Sequence, residues 1–139
     1  MKPTLIVDCS MAMAWCFADE STPETIQIQD RLAAEAAVVP AIWFLEVANV
    51  LAMAEKRKRI SLNDSQQFSQ LLSILDFQVD DDASRRAFDH LLPLCRSHGL
   101  TSYDAAYLDL MIRLQLPLAS LDDALRRAAT SLGLQVLGK

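Results

Sequence analysis

Short apolar runs alternate along the chain with longer stretches of mixed polarity. Five runs predict buried β-strands, at residues 4–7, 38–39, 77–79, 117–120 and 134–137. The stretches between them predict about seven helices, at 10–17, 23–35, 42–58, from Ser61 to about 75, from the acidic run 80–82 to Gly99, from Ser102 to about 114, and from the fourth strand to Gly133. Short apolar strands separated by helices are typical of a parallel sheet covered on both faces. We therefore expect an α/β protein with a five-stranded parallel sheet.

Several helix starts carry recognisable capping residues. Thr22 or Ser21 precedes Pro23, which suits a first helical turn. Ser61 and Ser102 are placed to cap the fourth and sixth helices. These signals predict where the helices begin, and the sheet rule then predicts that ligands bind outside the carboxyl ends of the strands.

Length and composition suit one soluble domain over residues 1–139. The chain is 52% hydrophobic and 22% charged, which allows a proper core. Its net charge of −5 gives no global basic field for nucleic acid. Three cysteines without a CxxC pair favour a reducing cytosol, and two histidines offer little support for a zinc site.

No stretch predicts a membrane span. Asp8 interrupts the N-terminal apolar region, and the longest apolar run elsewhere, 36–45, contains Pro40. A membrane helix needs about 20 apolar residues. We expect a cytoplasmic protein that does not contact the membrane.

Two carboxylates follow predicted strands. Asp8 ends the first strand, in "LIVDCS", and Asp122 follows the fourth, in "ASLDDAL". Because the carboxyl ends of parallel strands lie at the same edge of a sheet, both side chains are expected at that edge.

Two further carboxylates lie on predicted helices. Glu46 and Asn49 are the only strongly polar residues in 36–54, and their spacing places them on one helix face. An ionised Glu on an apolar face is costly unless it is paired or bound to a metal. Asp104 begins a mostly apolar helix and lies away from Asp109, which pairs with Arg113 on what we expect to be the solvated face.

Each carboxylate also has a simpler structural interpretation. Asp8 could cap the first helix, and Asp104 could favour a helix dipole. Glu46 could pair with an arginine. Asp122 and Asp123 could both begin a helix, and Ser120 with Asp123 resembles a capping box.

Four carboxylates at one place require a counter-charge, because like charges raise one another's pKa. Oxygen ligands suit Mg²⁺ or Mn²⁺ rather than Zn²⁺. Such an ion can lower the pKa of a bound water and hold phosphate oxygens for in-line attack. The acidic set therefore indicates metal-dependent chemistry on a phosphate ester.

Four segments, "LIVDCS", "FLEVANVL", "TSYDAAYLDL" and "ASLDDAL", resemble in order and spacing the motifs of PIN-domain ribonucleases, most of all the VapC toxins of toxin–antitoxin pairs. The resemblance covers essentially the whole chain. It implies a three-layer PIN-like sandwich with five parallel strands and about seven helices. It also implies an endoribonuclease that depends on Mg²⁺ or Mn²⁺.

The same resemblance assigns roles to individual residues. The catalytic quartet would be Asp8, Glu46, Asp104 and Asp122, with Asp8, Asp104 and Asp122 as metal ligands and Ser10, Asn49 and Ser120 as substrate-binding positions. Asp123 departs from many relatives, which carry a basic or variable residue there. The implied partners are an RNA substrate, a VapB-type antitoxin that blocks the site, and a second copy of the chain in a homodimer.

Other features leave alternatives open. The basic run 55–59 could contact phosphate or could be a solvated helix end. The aromatic residues Trp15, Phe17, Trp43 and Phe44 could belong to the core, a dimer seam or an antitoxin groove. The competing functions are a non-catalytic PIN scaffold that binds RNA or protein, and a Mg²⁺-binding phosphoacceptor domain. The latter would need a lysine after the last strand, where Lys139 comes late.

Overall fold

A computed structural model describes all residues from 1 to 139. Its five strands are β1 (Pro3–Val7), β2 (Ala36–Pro40), β3 (Phe77–Asp80), β4 (Leu118–Ala119) and β5 (Val136–Leu137). They form one sheet in the order β3-β2-β1-β4-β5, and every neighbouring pair is parallel. The expected five-stranded parallel sheet is therefore confirmed.

Helices fill the connections between the strands. They are α1 (Cys9–Cys16), α2 (Pro23–Arg31), α3 (Ile42–Lys56), α4 (Leu62–Ile74), α5 (Ala83–Arg86), α6 (Leu92–His98), α7 (Ser102–Leu114) and α8 (Asp123–Ser131). A π-helical turn, Ala87–Leu91, joins α5 to α6 without a break, so the predicted count of seven helical segments holds. None of these helices is both long and apolar enough to cross a membrane.

The π turn has a local cause. Pro93 lies in the first turn of α6 and has no N–H to donate to the preceding turn. The Leu92 N–H donates to the Ala87 carbonyl, five residues back. The helix thereby widens by one residue and continues past the proline.

The central strand β1 separates two apolar layers. Leu5, Ile6 and Val7 are fully buried. Ile6 packs with residues of α3, α7 and α8, whereas Leu5 and Val7 pack with Ile28 of α2. This alternation follows the period of a strand and gives the three layers.

The aromatic residues divide between core and surface. Phe17 and Trp43 are buried, and the Trp43 ring lies 4.5 Å from that of Phe77, centroid to centroid. Phe44 remains 44% exposed beside Trp43. Two of the four aromatic residues thus belong to the core.

Several helix caps match the sequence and others do not. Thr22 caps α2 through a capping box, and Ser61 caps α4. The predicted Ser102 cap is wrong, since Thr101 accepts the hydrogen bond from the Asp104 N–H. Both Thr101 and Ser102 carry a suitable hydroxyl, and the helix begins one residue earlier than that prediction required.

The start of α8 also differs from its prediction. Asp122 is the cap and accepts from the Leu125 N–H at 2.8 Å, so Ser120 and Asp123 do not form a capping box. The Ser120 hydroxyl points instead to Asp8. Asp123 is the first helical residue and pairs with Lys139 at 2.7 Å.

The end of α3 turns sharply through a left-handed residue. Lys58 has a φ of 59°, and its N–H donates to the Glu55 carbonyl. The Arg59 N–H donates to the Ala54 carbonyl at 2.8 Å, which completes a Schellman motif. The motif ends the helix and turns the chain back towards α1.

The expected solvated face of α7 is wrong. Asp109 does pair with Arg113, but it is only 4% exposed and also accepts two hydrogen bonds from Arg86. Arg113 in turn donates twice to Asp80 of β3. The pair is covered because Arg86, 23 residues away in sequence, lies across it.

Candidate active site

Four carboxylates from separate elements lie at the carboxyl edge of the sheet. Asp8 follows the central strand β1, and Asp122 follows its neighbour β4. Glu46 lies in the second turn of α3 and Asp104 in the first turn of α7. Their charges act on one another, since Asp122 raises the pKa of both other aspartates while Asp8 and Asp104 raise that of Glu46. The structure therefore brings the predicted quartet into one electrostatic cluster.

Asp8 is held at both carboxylate oxygens. Its Oδ1 accepts from the Ser10 hydroxyl at 2.6 Å and from the Met11 N–H at 3.0 Å, which caps α1. Its Oδ2 accepts from the Ser120 hydroxyl. The helix cap considered from the sequence is thus confirmed, and it coexists with a place in the cluster.

The two serines connect Asp8 to the loop before α8. The Ser10 hydroxyl accepts from the Leu121 N–H at 2.9 Å, and the Ser120 hydroxyl accepts from the Asp122 N–H at 3.0 Å. Each hydroxyl donates its only proton to Asp8. In this structure the predicted substrate-binding serines therefore orient a carboxylate and fix the loop that carries Asp122.

Burial changes the acidity of the central carboxylate. Asp8 is 5% exposed, and burial raises its pKa from 3.8 to about 6 despite the hydrogen bonds from Ser10, Ser120 and Met11. Asp122 adds to the rise by repulsion. A bound cation would reverse this effect, because it would favour the ionised form.

Glu46 has a partner that the sequence did not predict. The buried Tyr107 hydroxyl donates to Glu46 Oε1 at 2.6 Å, so pairing with an arginine is wrong. Burial raises the pKa of Glu46, and the hydrogen bond from Tyr107 opposes that rise. Tyr107 lies one helical turn after Asp104, and a buried tyrosine needs a partner for its hydroxyl. This requirement was the sequence feature that could have indicated a polar partner for Tyr107.

Asp104 and Asp122 complete the cluster from two helix starts. Burial raises the pKa of Asp104, with repulsion from Asp122 next in size. Asp122 uses Oδ1 to cap α8, which leaves Oδ2 available. The neighbouring Asp123 points to solvent with 74% of its side chain exposed. Of the two adjacent acids, Asp122 is therefore the one that lies beside the other carboxylates.

A cysteine also borders the cluster. Burial raises the pKa of Cys9 to about 12, and the carboxylates of Glu46 and Asp8 add to the rise. The thiolate is the nucleophilic form of cysteine. Cys9 therefore stays protonated at neutral pH and is unsuited to attack a substrate.

Asn49 does not join the hydrogen-bonded cluster. It is exposed on α3, one turn after Glu46, in a groove with Met53 and Arg57. Met53 is 37% exposed, so this face of α3 is more accessible to solvent than its apolar sequence indicated. The face instead leads from the carboxylates towards the basic end of the helix.

A hard divalent cation prefers oxygen donors, which the four carboxylates supply. No three His, Cys, Asp or Glu side chains converge closely enough to enclose one ion by themselves. Mg²⁺ typically takes one or two carboxylates and keeps several waters, so it does not require such an enclosure. Free acceptor positions are left on Asp8 Oδ2, Glu46 Oε2 and Asp122 Oδ2. The all-oxygen set, in which burial raises the pKa of Asp8, Glu46 and Asp104, fits Mg²⁺ or Mn²⁺.

Fold and site together define a class of protein, a three-layer α/β domain with an acidic cluster at the carboxyl edge of its parallel sheet. The family model of the PIN domain matches residues 5–130. The chain therefore belongs to the PIN-domain family. PIN domains are generally metal-dependent nuclease folds.

Comparison with solved structures agrees with the fold. The chain is similar to PAE2754 from Pyrobaculum aerophilum, seen in a crystal structure, with a TM-score of 0.71 and 20% sequence identity. The match covers 98% of this chain and 92% of that chain. At this identity the likeness concerns the fold alone. A search of curated proteins finds no match.

Proposed function

We propose that this PIN domain is an endoribonuclease that uses Mg²⁺ or Mn²⁺ to hydrolyse phosphodiester bonds. The observation that carries the proposal is the coupled cluster of Asp8, Glu46, Asp104 and Asp122 at the carboxyl edge of the sheet. A group of buried and half-buried carboxylates lowers stability unless a cation compensates it, so a function should account for its presence.

The proposed roles follow from the resemblance to PIN-domain motifs, and the open acceptor positions on Asp8, Glu46 and Asp122 support them. Asp8, Asp104 and Asp122 would hold the ion, which supplies charge compensation for phosphate and a more acidic water. Ser10 and Ser120 keep Asp8 in one orientation. Glu46 has Oε2 free and a raised pKa, which suits it to accept a proton from an attacking water.

We further propose that the chain is the toxin of a VapBC-type pair. In this proposal it forms a homodimer and binds a VapB-type antitoxin. A groove of 260 Å³ between α3 and α4 supports a protein partner, because six of its eight lining residues are hydrophobic. Phe44 and Leu45 at the start of α3 are 44% and 67% exposed. Exposed apolar surface of this kind is typical of protein interfaces.

The first test is cleavage of RNA by the purified protein, freed of any copurifying partner. We expect cleavage with Mg²⁺ or Mn²⁺ and none with EDTA. Asp8→Asn and Asp104→Asn should each reduce cleavage at least about 100-fold, because each removes a charge that the cation needs. The products are resolved by gel electrophoresis of labelled RNA.

The matched control compares two adjacent acids. Asp122→Asn should reduce cleavage, whereas Asp123→Asn should leave it within about twofold, since Asp123 is exposed and outside the cluster. Cleavage at the wild-type rate in Asp8→Asn or Asp104→Asn would refute the assigned site.

A non-catalytic scaffold that binds RNA or protein is the second candidate. The absence of three converging metal-binding side chains favours it. Intact RNA after long incubation with pure protein and Mn²⁺ would support this candidate over the nuclease. Nothing favours the phosphoacceptor, since Lys139 pairs with Asp123 rather than Asp8.

A further inference from the structure

Arg59, in the basic segment after α3, is occupied by contacts within the protein. Its guanidinium lies 3.7 Å from the centroid of the Phe17 ring. It also donates to the carboxylates of Asp19 and Glu20 at 2.9–3.0 Å. The charge of Arg59 is therefore compensated, and its role is to hold the turn against residues 17–20, directly after α1.

The three basic residues before it remain uncompensated. Lys56, Arg57 and Lys58 are exposed and form no ion pair. The one acid of the segment, Glu55, turns to α4 and accepts from the Ser65 hydroxyl at 2.6 Å. A local positive surface thus stands on a protein whose net charge is −5.

This surface adjoins a groove on α3 and its terminal turn, here called the α3 groove. The α3 groove has a volume of 330 Å³ and is lined by Asn49, Val50, Met53, Ala54, Arg57 and Arg59. It combines an amide, an apolar floor and a free guanidinium. This combination suits an unstacked base with its adjoining phosphate better than it suits a purely apolar partner.

The α3 groove lies on the face of α3 that also carries Glu46 of the acidic cluster. With 3.6 residues per turn, Glu46, Val50, Met53 and Arg57 fall along one face of α3. Glu46 and Arg57 are eleven positions apart, a rise of about 16 Å along the helix axis. A strand whose phosphate lies at the cluster could therefore extend along this face to Arg57.

Lys58 supplies a second observation at the same place. Its φ of 59° is a left-handed conformation that glycine adopts at lower energy. Strained residues of this kind often lie at functional sites. A lysine here keeps a charge beside Arg57 at a cost in backbone energy.

We propose that the α3 groove binds single-stranded RNA next to the scissile phosphate, with Arg57 on a backbone phosphate and Met53 against a base. This inference rests on the proposed nuclease function and names a binding subsite for its substrate. Recognition is electrostatic at Arg57 and Lys58 and apolar at Val50 and Met53.

The test measures binding of a fluorescent single-stranded RNA of mixed sequence to protein carrying Asp8→Asn, which prevents cleavage, in EDTA. Affinity is recorded from about 50 to about 200 mM salt. Adding Arg57→Gln should make the slope of log affinity against log salt smaller by about 0.7, the value for one phosphate contact on a single strand. Met53→Ala should weaken binding severalfold at an unchanged slope.

Arg96→Gln is the matched control, because Arg96 is an exposed arginine of α6 without an ion pair and outside the α3 groove. It should leave both affinity and slope unchanged. Equal effects of Arg57→Gln and Arg96→Gln, or no RNA binding at all, would overturn the inference. If wild type cleaves RNA but Arg57→Gln and Arg96→Gln have equal effects on binding, the subsite is refuted and the proposed nuclease function is not. Arg57-dependent binding without wild-type cleavage would refute the nuclease.

Discussion

Asp8 combines three roles in one side chain. It caps α1, accepts from two serine hydroxyls and forms part of a cluster of four acids. These hydrogen bonds favour its ionised form, yet burial outweighs them and raises its pKa to about 6. Asp8 is thus held in position by contacts that do not fully stabilise its charge.

A dependence of stability on pH follows. Because the pKa of Asp8 is higher in the folded state, the native protein holds this proton more tightly than the unfolded chain. Stability from this group is therefore present below about pH 4 and falls as the pH rises to about 6. Over that window we expect Asp8 to remove about 3 kcal/mol from the free energy of unfolding. Denaturant unfolding in EDTA at several pH values measures this loss.

The comparison variant is Asp8→Asn, which keeps the shape without the charge. It should be more stable than wild type above pH 6 and should lose the part of the decline between pH 4 and 6 that Asp8 causes, while Glu46 and Asp104, whose pKa values burial also raises, keep the remainder. Asp123→Asn, at an exposed carboxylate whose pKa Lys139 lowers, serves as the control and should follow wild type. An Asp8→Asn protein that is less stable than wild type at neutral pH would contradict this account.

The acids of the site were predictable because their positions follow from local pattern. A carboxylate directly after an apolar strand must lie at the sheet edge, and this placed Asp8 and Asp122. Tyr107 was missed because its partner Glu46 is 61 residues away in sequence. The orienting roles of Ser10 and Ser120 also required the folded contacts, since nothing local to either serine reveals which oxygen it meets.

At the scale of elements, the backbone conformation at the end of α3 lowers the stability of the protein, and one substitution can remove this effect. Lys58 occupies the left-handed position of a Schellman motif, where glycine is preferred. We expect Lys58→Gly to raise the free energy of unfolding by about 1 kcal/mol. Urea unfolding at constant pH measures the change.

Lys58→Ala separates the backbone effect from the loss of charge. It removes the same ammonium group but keeps a Cβ, so it should give no comparable gain. If both variants were stabilised equally, repulsion among the basic residues would be the cause rather than the conformation of the backbone.

Element positions were largely predictable, and element ends less so. All five strands and seven helical segments lie where alternating apolar and mixed runs indicated. The last two strands, β4 and β5, are only two residues long, which is shorter than the apolar runs that predicted them. Thr101 and Ser102 illustrate the limit at helix ends, since two adjacent hydroxyl residues offer equivalent caps and packing decides between them.

At the scale of the whole molecule, an ion-pair network joins distant elements. Asp109 of α7 accepts from Arg86 of α5 and Arg113 of α7, and Arg113 reaches Asp80 at the end of β3. Burial raises the pKa of Asp109, but the hydrogen bonds from Arg86 and Arg113 outweigh it and lower the pKa. The network thus fastens the edge of the sheet to two helices.

Breaking this network should be costly. Asp109→Asn removes the carboxylate that two guanidinium groups share, and we expect a loss of about 3 kcal/mol in the free energy of unfolding. The loss arises because the remaining charges are partly buried. Denaturant unfolding at neutral pH checks the value.

Asp82→Asn provides the matched comparison. Asp82 contacts Arg85 and Arg113 but is more exposed, so its loss should cost less than about 1 kcal/mol. Similar losses in the two variants would show that burial of Asp109 does not govern the strength of the network. The sequence could not predict this burial, because the i,i+4 spacing of Asp109 and Arg113 is equally typical of an exposed helix pair.

The order of the strands has a consequence for how the molecule is made. The central strand β1 is synthesised more than 100 residues before its neighbour β4, with Ile6 paired to Leu118. The contacts between Asp8 and Ser120 are equally distant. Pairing over such separations forms late, because the loop must close before the contact stabilises it. A growing chain therefore carries Asp8 for more than 100 residues of synthesis without a complete acidic cluster, which can arise only after β4 and Asp122 have left the ribosome.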